Sequence, residues 1–264
     1  MNILPDNQPQ KLISPGEIYK LGDHLLACGD CKDINLVDKL VTGGGNIRLI
    51  LTDPPYGVAY VENKEHFKST IGANLSAPRQ IVGDELRTDD QYAEFTKSWI
   101  TPILKNLEVK NAFYIFNCDM MMCSLRQGMK QAGLYYSQMI IWVKNNIVIG
   151  RKDYNPQHEV LAYGWYGRHK FERAKGKSVI FHAKPHHSKL HPTMKPVGLL
   201  RKFILNSSKT NDIVYDPFGG SGSTLMACEQ TKRKCLMIEI DPFYCQVIID
   251  RWEKLTNKTA EIKL

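Results

Sequence analysis

The sequence predicts an α/β fold: a single doubly wound, mostly parallel sheet of the Rossmann-like type. Two observations predict it. Apolar runs of strand length alternate with amphipathic stretches of helical spacing along most of the 264 residues. Two of those runs, Leu49-Ile50-Leu51 and Ile213-Val214-Tyr215, open directly into loops rich in Pro, Gly and acids. In open α/β sheets, ligands bind in the crevice outside the carboxyl ends of the strands, where such loops lie. The length suits one large domain with a well-buried core.

Residues 1–17 read as an N-terminal arm, because Met1 to Gln10 is polar and Pro-containing. The domain proper runs over 18–264. Ile18 to Gly29 reads as paired short strands. Asn35 to Val41 is a short amphipathic helix ended by Gly43-Gly44-Gly45. Ile47 to Thr52 is a buried strand. Residues 58–90 show no clean period and read as a mobile binding loop. Gln91 to Leu107 has helical spacing, Ala112 to Phe116 is a strand, and Met120 to Gln131 is a helix. Tyr136 to Val143, Val160 to Tyr163 and Ser178 to His182 read as strands. Pro196 to Ser207 is a helix whose first residue lacks an N–H that would be unpaired anyway. Then follow strand Ile213 to Tyr215, helix Ser223 to Thr231, strand Cys235 to Ile240 and helix Phe243 to Leu255.

The net charge of +8 is concentrated. Residues 144–191 hold ten Lys/Arg against three acids, with Tyr154, Tyr163, Trp165, Tyr166, Phe171 and Phe181 interleaved. Bases mixed with aromatic rings suit a polyanion whose bases can stack. Arg151, Lys152, Arg168, Lys170 and Arg173 are the candidate nucleic-acid contacts. A solvated basic surface is the plain alternative. No apolar stretch is long enough to span a bilayer, and no secretory leader is visible, so the expected setting is cytoplasmic. The seven cysteines are scattered, which argues against a disulfide framework. Cys28-Gly29-Asp30-Cys31 could hold zinc or do redox chemistry. Zinc needs further ligands at suitable spacing, and none stands nearby, so no metal is expected.

Gly219, Gly220 and Gly222 fall between a strand and a helix, inside Asp216-Pro217-Phe218-Gly219-Gly220-Ser221-Gly222-Ser223. Glycines there allow a tight turn and close ligand approach. The next strand ends at Glu239, where an acid can accept hydrogen bonds from ribose hydroxyls. A nucleoside-bearing cofactor without a pyrophosphate fits. Upstream, in His191-Pro192-Thr193-Met194-Lys195-Pro196, Lys195 could bind a carboxylate and Thr193 could add a hydroxyl. The alternative is a Pro-rich turn capped by Thr.

Asp53-Pro54-Pro55-Tyr56 is a stiff corner, because two prolines fix two φ angles and hold the preceding residues extended. It presents a carboxylate, a carbonyl and an aromatic face. An exocyclic amino group on a base is a poor nucleophile while its lone pair is delocalised. Acceptors on its N–H bonds free that lone pair, and Tyr56 can stack on the ring. The base must leave the duplex stack to reach such a corner.

Taken together, these strings resemble the amino-group DNA methyltransferases of the β-type, permuted arrangement, over about Ile18 to Asn257. The resemblance implies the methyltransferase version of the Rossmann-like fold and S-adenosylmethionine as cofactor. It implies catalysis at Asp53, Pro54, Pro55 and Tyr56. Cofactor contacts would come from Asp30, Cys31, Thr193, Lys195, Pro196, Asp216, Phe218, Gly219, Gly220, Ser221, Gly222, Ser223 and Glu239. Met194 replaces the more usual Gln. The catalytic string precedes the glycine turn by 163 residues, the permuted order. In that group the intervening segment, here residues 144–191, carries target recognition. Asp in the first catalytic position favours the N6 of adenine, whereas Ser favours the N4 of cytosine. Double-stranded DNA is the implied partner, with a homodimer and a cognate restriction endonuclease as further expectations. An RNA or protein-glutamine methyltransferase and a non-catalytic DNA-binding module are the alternatives.

Overall fold

The computed structural model describes residues 13–42, 46–59, 82–147, 153–173, 176–184 and 194–263. Ten strands form one sheet in the order β10-β1-β2-β9-β8-β3-β4-β6-β5-β7. They are β1 (Ile18–Leu21), β2 (His24–Cys28), β3 (Ile47–Thr52), β4 (Leu107–Asn117) and β5 (Tyr135–Val143), then β6 (His158–Trp165), β7 (Val179–Phe181), β8 (Ile213–Asp216), β9 (Lys234–Glu239) and β10 (Glu261–Ile262). The central run β2-β9-β8-β3-β4 is parallel. Antiparallel pairs flank it at β1–β2 and β1–β10 on one side and at β4–β6 and β5–β6 on the other.

Each central strand is apolar on both faces, as a covered sheet requires. Alternate residues go to opposite cores. Leu49 and Leu51 join one core, with Tyr114, Phe116, Val214 and Met237. Ile50 joins the other, with Phe113, Ile115, Tyr215 and Ile238, and so does Ile47, because the register shifts between Ile47 and Leu49. On the first face pack α4 (Val197–Ser207), α5 (Ser223–Thr231) and α6 (Pro242–Thr256). On the second pack α1 (Ile34–Thr42), α2 (Asp89–Ile100) and α3 (Met122–Gln131).

Local chemistry sets the boundaries. Thr88 caps α2 in a box with Gln91. The helical spacing through Leu107 is interrupted, because Pro102 lacks an N–H and turns the chain into a 3-10 segment, Thr101–Asn106. Residues 13–17, assigned to the arm on sequence, pack onto the sheet. Ile13 is buried, and Gly16 donates its N–H to the Cys28 carbonyl at 2.7 Å. Residues 1–12 and Gly43-Gly44-Gly45 lie outside the described residues.

Helices α2 and α3 touch closely at Gly128. A Cβ there would press into the Ala93 carbonyl oxygen and lie 2.5 Å from Thr96 Cβ. Alanine gains about 1 kcal/mol of helix propensity over glycine, but overpacking costs about 1–3 kcal/mol. Because the obstacle is backbone, the clash wins. Gly128→Ala is expected to lower the unfolding free energy, read as a lower urea midpoint at unchanged slope.

Candidate active site

Strands β3 and β8 are parallel neighbours, with Ile50 opposite Tyr215. Their carboxyl ends therefore emerge side by side and deliver Asp53 and Asp216 to one end of the sheet. Thr52 Oγ1 donates to Asp216 Oδ1 at 2.7 Å and links the two loops at their roots. Burial pushes the Asp216 carboxyl up to about 7, against hydrogen bonds from Thr224, Thr52 and the Phe218 N–H.

A cavity of about 920 Å³ opens there, within the range of small-molecule sites. Asp53 to Tyr56 form part of its wall, and the turn through Phe218, Gly219, Gly220, Ser221 and Ser223 forms another part, with Asp30, Cys31 and Glu239. Gly219 is held against the core, since a Cβ would meet Met237 Cγ at 2.9 Å. Gly220 and Gly222 take positive φ, +51° and +78°. The turn thus presents bare backbone to the cavity. Glu239 braces it. One carboxylate oxygen accepts the Gly220 N–H at 2.6 Å, and the other accepts the Asp241 N–H at 2.9 Å. Each oxygen keeps a second acceptor site. Burial pushes Glu239 up to about 7, against those two N–H bonds. Pro196 and Gly222 do not reach the cavity wall; Pro196 instead precedes α4 in extended backbone.

On the catalytic side the corner is cross-linked by charge. Tyr56 Oη donates to Asp53 Oδ1 at 2.8 Å. Lys195 Nζ donates to Asp53 Oδ2 at 2.5 Å, lies 3.2 Å from Glu159 Oε2, and lies 3.3 Å from Tyr56 Oη. Lys144 Nζ holds the other Glu159 oxygen at 2.8 Å. Burial opposes the Glu159 charge, but the Lys195 and Lys144 ammoniums outweigh it and bring the carboxyl down to about 2. Burial likewise opposes the Lys195 charge, and the Asp53 and Glu159 carboxylates raise its pKa above the ordinary value. Asp53 is shifted upward by burial, with Lys195 and Tyr56 working against the shift. Lys184, also on the wall, is shifted downward by burial, with Lys144 and Lys195 adding repulsion.

Residues 82–88 are stitched over the corner. Gly57 N–H donates to Asp84 Oδ1 at 2.9 Å, Ala59 N–H to the Asp84 carbonyl at 2.9 Å, and Arg87 N–H to the Gly57 carbonyl at 3.0 Å. Behind the glycine turn, Phe218 packs edge-on against Trp99 and tilted against Phe95.

Four further residues stand elsewhere than the sequence expectation put them. Lys195 was expected at the cofactor; it sits on Asp53, because the chain entering α4 crosses the carboxyl end of β3. Arg168 and Lys170 were expected at the DNA. The structure sets them at the amino end of β4, where the Asn111 N–H reaches the Arg168 carbonyl and Arg48 reaches the Lys170 carbonyl. That is roughly 20 Å along the strand from Asn117 at the cavity end. Arg173 follows at the same end, beside Glu172, which pairs with Arg48 at 2.8 Å. Charge counting has no direction, whereas the antiparallel course of β6 carries the chain away from the cavity. Arg151, Lys152 and Thr193 lie outside the described residues. Among the described residues, no group of three His, Cys, Asp or Glu could hold a metal. Sequence reasoning missed Glu159, Lys144 and Lys184. The available signal was Glu159 itself, an acid at the head of an apolar strand within a basic segment.

A family model described as DNA methylase, covering N6 and N4 methyltransferases, matches residues 47–250. The chain belongs to this family. The methylase is similar to the type II methyltransferase M.HpaI of Haemophilus parainfluenzae, 25% identical over 237 residues, covering 80% of this chain and 70% of that protein. It is also 25% identical over 262 residues to the type II methyltransferase M.HinfI of Haemophilus influenzae, covering 89% and 70%. Among solved structures, the M1.HpyAVI–SAM complex superposes with a TM-score of 0.61 at 22% identity, covering 86% of the methylase and 98% of that chain. The cytosine-N4-specific PvuII DNA methyltransferase gives 0.63 at 16%, covering 88% and 89%. These two show the shared fold. The family makes this chain a DNA methyltransferase, and the M1.HpyAVI structure is a complex with SAM, S-adenosylmethionine, the cofactor expected from the sequence. The donor set fits that cofactor: a bare-backbone turn beside a carboxylate with free acceptor sites.

The raised Glu239 has a consequence for stability. Its folded pKa, about 7, lies above the ordinary 4.5, so the folded state binds this proton more tightly than the unfolded chain. That contribution is fully present below about 4.5 and is lost as pH rises through 7. Glu239→Gln, neutral at every pH, should flatten the decline in urea stability between pH 5 and pH 8 in the ligand-free protein. An unchanged slope would mean Glu239 is ionised throughout.

Proposed function

We propose that the enzyme transfers the methyl group of S-adenosylmethionine to the exocyclic N6 of an adenine flipped out of double-stranded DNA. The observation that carries this reading is the single cavity walled by both Asp53 to Tyr56 and the Gly219–Gly220 turn with Glu239. The cofactor supplies an electrophilic methyl on a sulfonium. In this reading Glu239 accepts its ribose hydroxyls, the glycine turn admits it against the backbone, and Asp30 and Cys31 border its adenine; their shared place on the cavity wall supports the assignment. Across the cavity Asp53 and the Pro54 carbonyl accept the two N–H bonds of the target amino group, and Tyr56 stacks on the ring. Tyr56 Oη also fixes the Asp53 carboxylate. Once nitrogen carries the methyl, Asp53 is the nearest group to take its proton, a role that suits its upward shift. Most of the acceleration is positioning and electrostatics.

Adenine is preferred because Asp53 stands where Ser marks the cytosine-directed form of the motif. The fold shared with a cytosine-N4-specific enzyme makes cytosine the second reading. The DNA surface we assign to this end of the sheet includes Lys184, which is partly exposed on the cavity wall. A homodimer and a cognate restriction endonuclease belong to the same reading, supported by relatives that are type II methyltransferases. A genomic DNA substrate sets the work in the bacterial cytoplasm. No helix among the described residues is long and apolar enough to cross a membrane.

Duplexes methylated with labelled cofactor and digested to nucleosides should yield N6-methyladenine; N4-methylcytosine would transfer the reading to cytosine. Asp53→Ala should cut methyl transfer by about 10²–10³-fold or more while calorimetry still records cofactor binding. Retained turnover would contradict the role of Asp53.

A further inference from the structure

We propose that Asp53 and Lys195 act as a pair that reads the ring edge of the flipped base, with Lys195 donating to the ring nitrogen beside the amino-bearing carbon. The inference rests on the functional reading above and extends it to base selection. The Lys195 ammonium has three hydrogens and no acceptor. They face Asp53 Oδ2 at 2.5 Å, Glu159 Oε2 at 3.2 Å and Tyr56 Oη at 3.3 Å. When an amino group occupies Asp53, the ammonium hydrogen on Asp53 is released beside it. The next atom along the base is an acceptor, N1 in adenine or N3 in cytosine.

An acceptor next to a donor is the pattern that thymine presents to adenine and guanine presents to cytosine in a duplex. Asp53 and Lys195 reproduce it at the cavity wall. Guanine and thymine carry the reverse order, a carbonyl oxygen beside a ring N–H. They would set oxygen against the Asp53 carboxylate and N–H against the ammonium, and both contacts repel. The pair therefore selects the amino-bearing bases as a class. Glu159 is the positioning residue. Anchored by Lys144 at 2.8 Å, it retains the Lys195 ammonium in place when Asp53 turns to the substrate. Lys195 is almost fully buried, 6% exposed, and lies 5.0 Å from the Phe116 ring centroid, so it has little freedom to leave.

The test replaces the target adenine by 1-deazaadenine, which keeps the amino group and exchanges N1 for C–H. For a cytosine target, 3-deazacytosine does the same. Loss of a hydrogen bond from a charged donor should lower wild-type kcat/KM by about tenfold or more. In Lys195→Met the same base change should cost less than about threefold, and Lys195→Arg should restore part of the penalty. The analogue also pairs less well and flips more easily, but this affects every variant alike and cancels in the comparison. Calorimetry with the cofactor verifies that each variant is folded. Where Lys195→Met turns over too slowly, affinities for the two duplexes in the presence of S-adenosylhomocysteine give the same difference. Equal losses in wild type and Lys195→Met, with normal methylation of the natural base, overturn this inference alone. Absence of methyl transfer by the wild type to any adenine or cytosine overturns the functional reading with it.

Discussion

The active site depends on the parallel pairing of β3 with β8. Asp53 and Gly219 are far apart in sequence, and only the alignment of two strands brings their loops together. The hydrogen bond from Thr52 to Asp216 completes that alignment at the point where both strands end. It joins the last residue of one strand to the last residue of the other, so the two loops leave from a common base. Asp216 thereby acts as a scaffold for the turn. Its burial, and the proton affinity that follows, are consequences of that placement.

Above this base the catalytic side is organised by alternating charges. Lys144, Glu159, Lys195 and Asp53 form a chain of contacts that crosses from the antiparallel flank of the sheet to its parallel centre. Buried charges of one sign are costly, but each of these groups has a partner of opposite sign within hydrogen-bonding distance. Removing one member would leave its neighbour uncompensated. The antiparallel insertion of β5 and β6 therefore does more than widen the sheet; it supplies the acid and base that brace the catalytic corner.

How much of this was legible in the sequence follows from the range of each interaction. The Asp53 corner and the Gly219–Gly220 turn were legible because their backbone requirements are local: proline fixes φ, and glycine admits positive φ. The central strands were legible as short apolar runs covered on both faces. The partnership of Lys195 with Asp53 was not, because 142 residues separate them and nothing in a Pro-rich turn indicates which carboxylate it will meet. Glu159 was hidden for the same reason. The basic segment was legible as charge but not as direction. Its strand β6 begins at the cavity and runs away from it, which leaves Lys144 near the chemistry and Arg168 at the far end. The helix expected through Leu107 failed locally, at Pro102.

The stitching around Gly57 and Asp84 has an architectural consequence. The chain departs at Ala59 and returns at Val82, and its two feet are tied together at the base by three backbone-anchored hydrogen bonds. These bonds hold residues 57–59 against residues 84–87. The Pro54-Pro55-Tyr56 corner is thus braced from its C-terminal side as well as by its own prolines, so its shape does not rest on the proline rings alone.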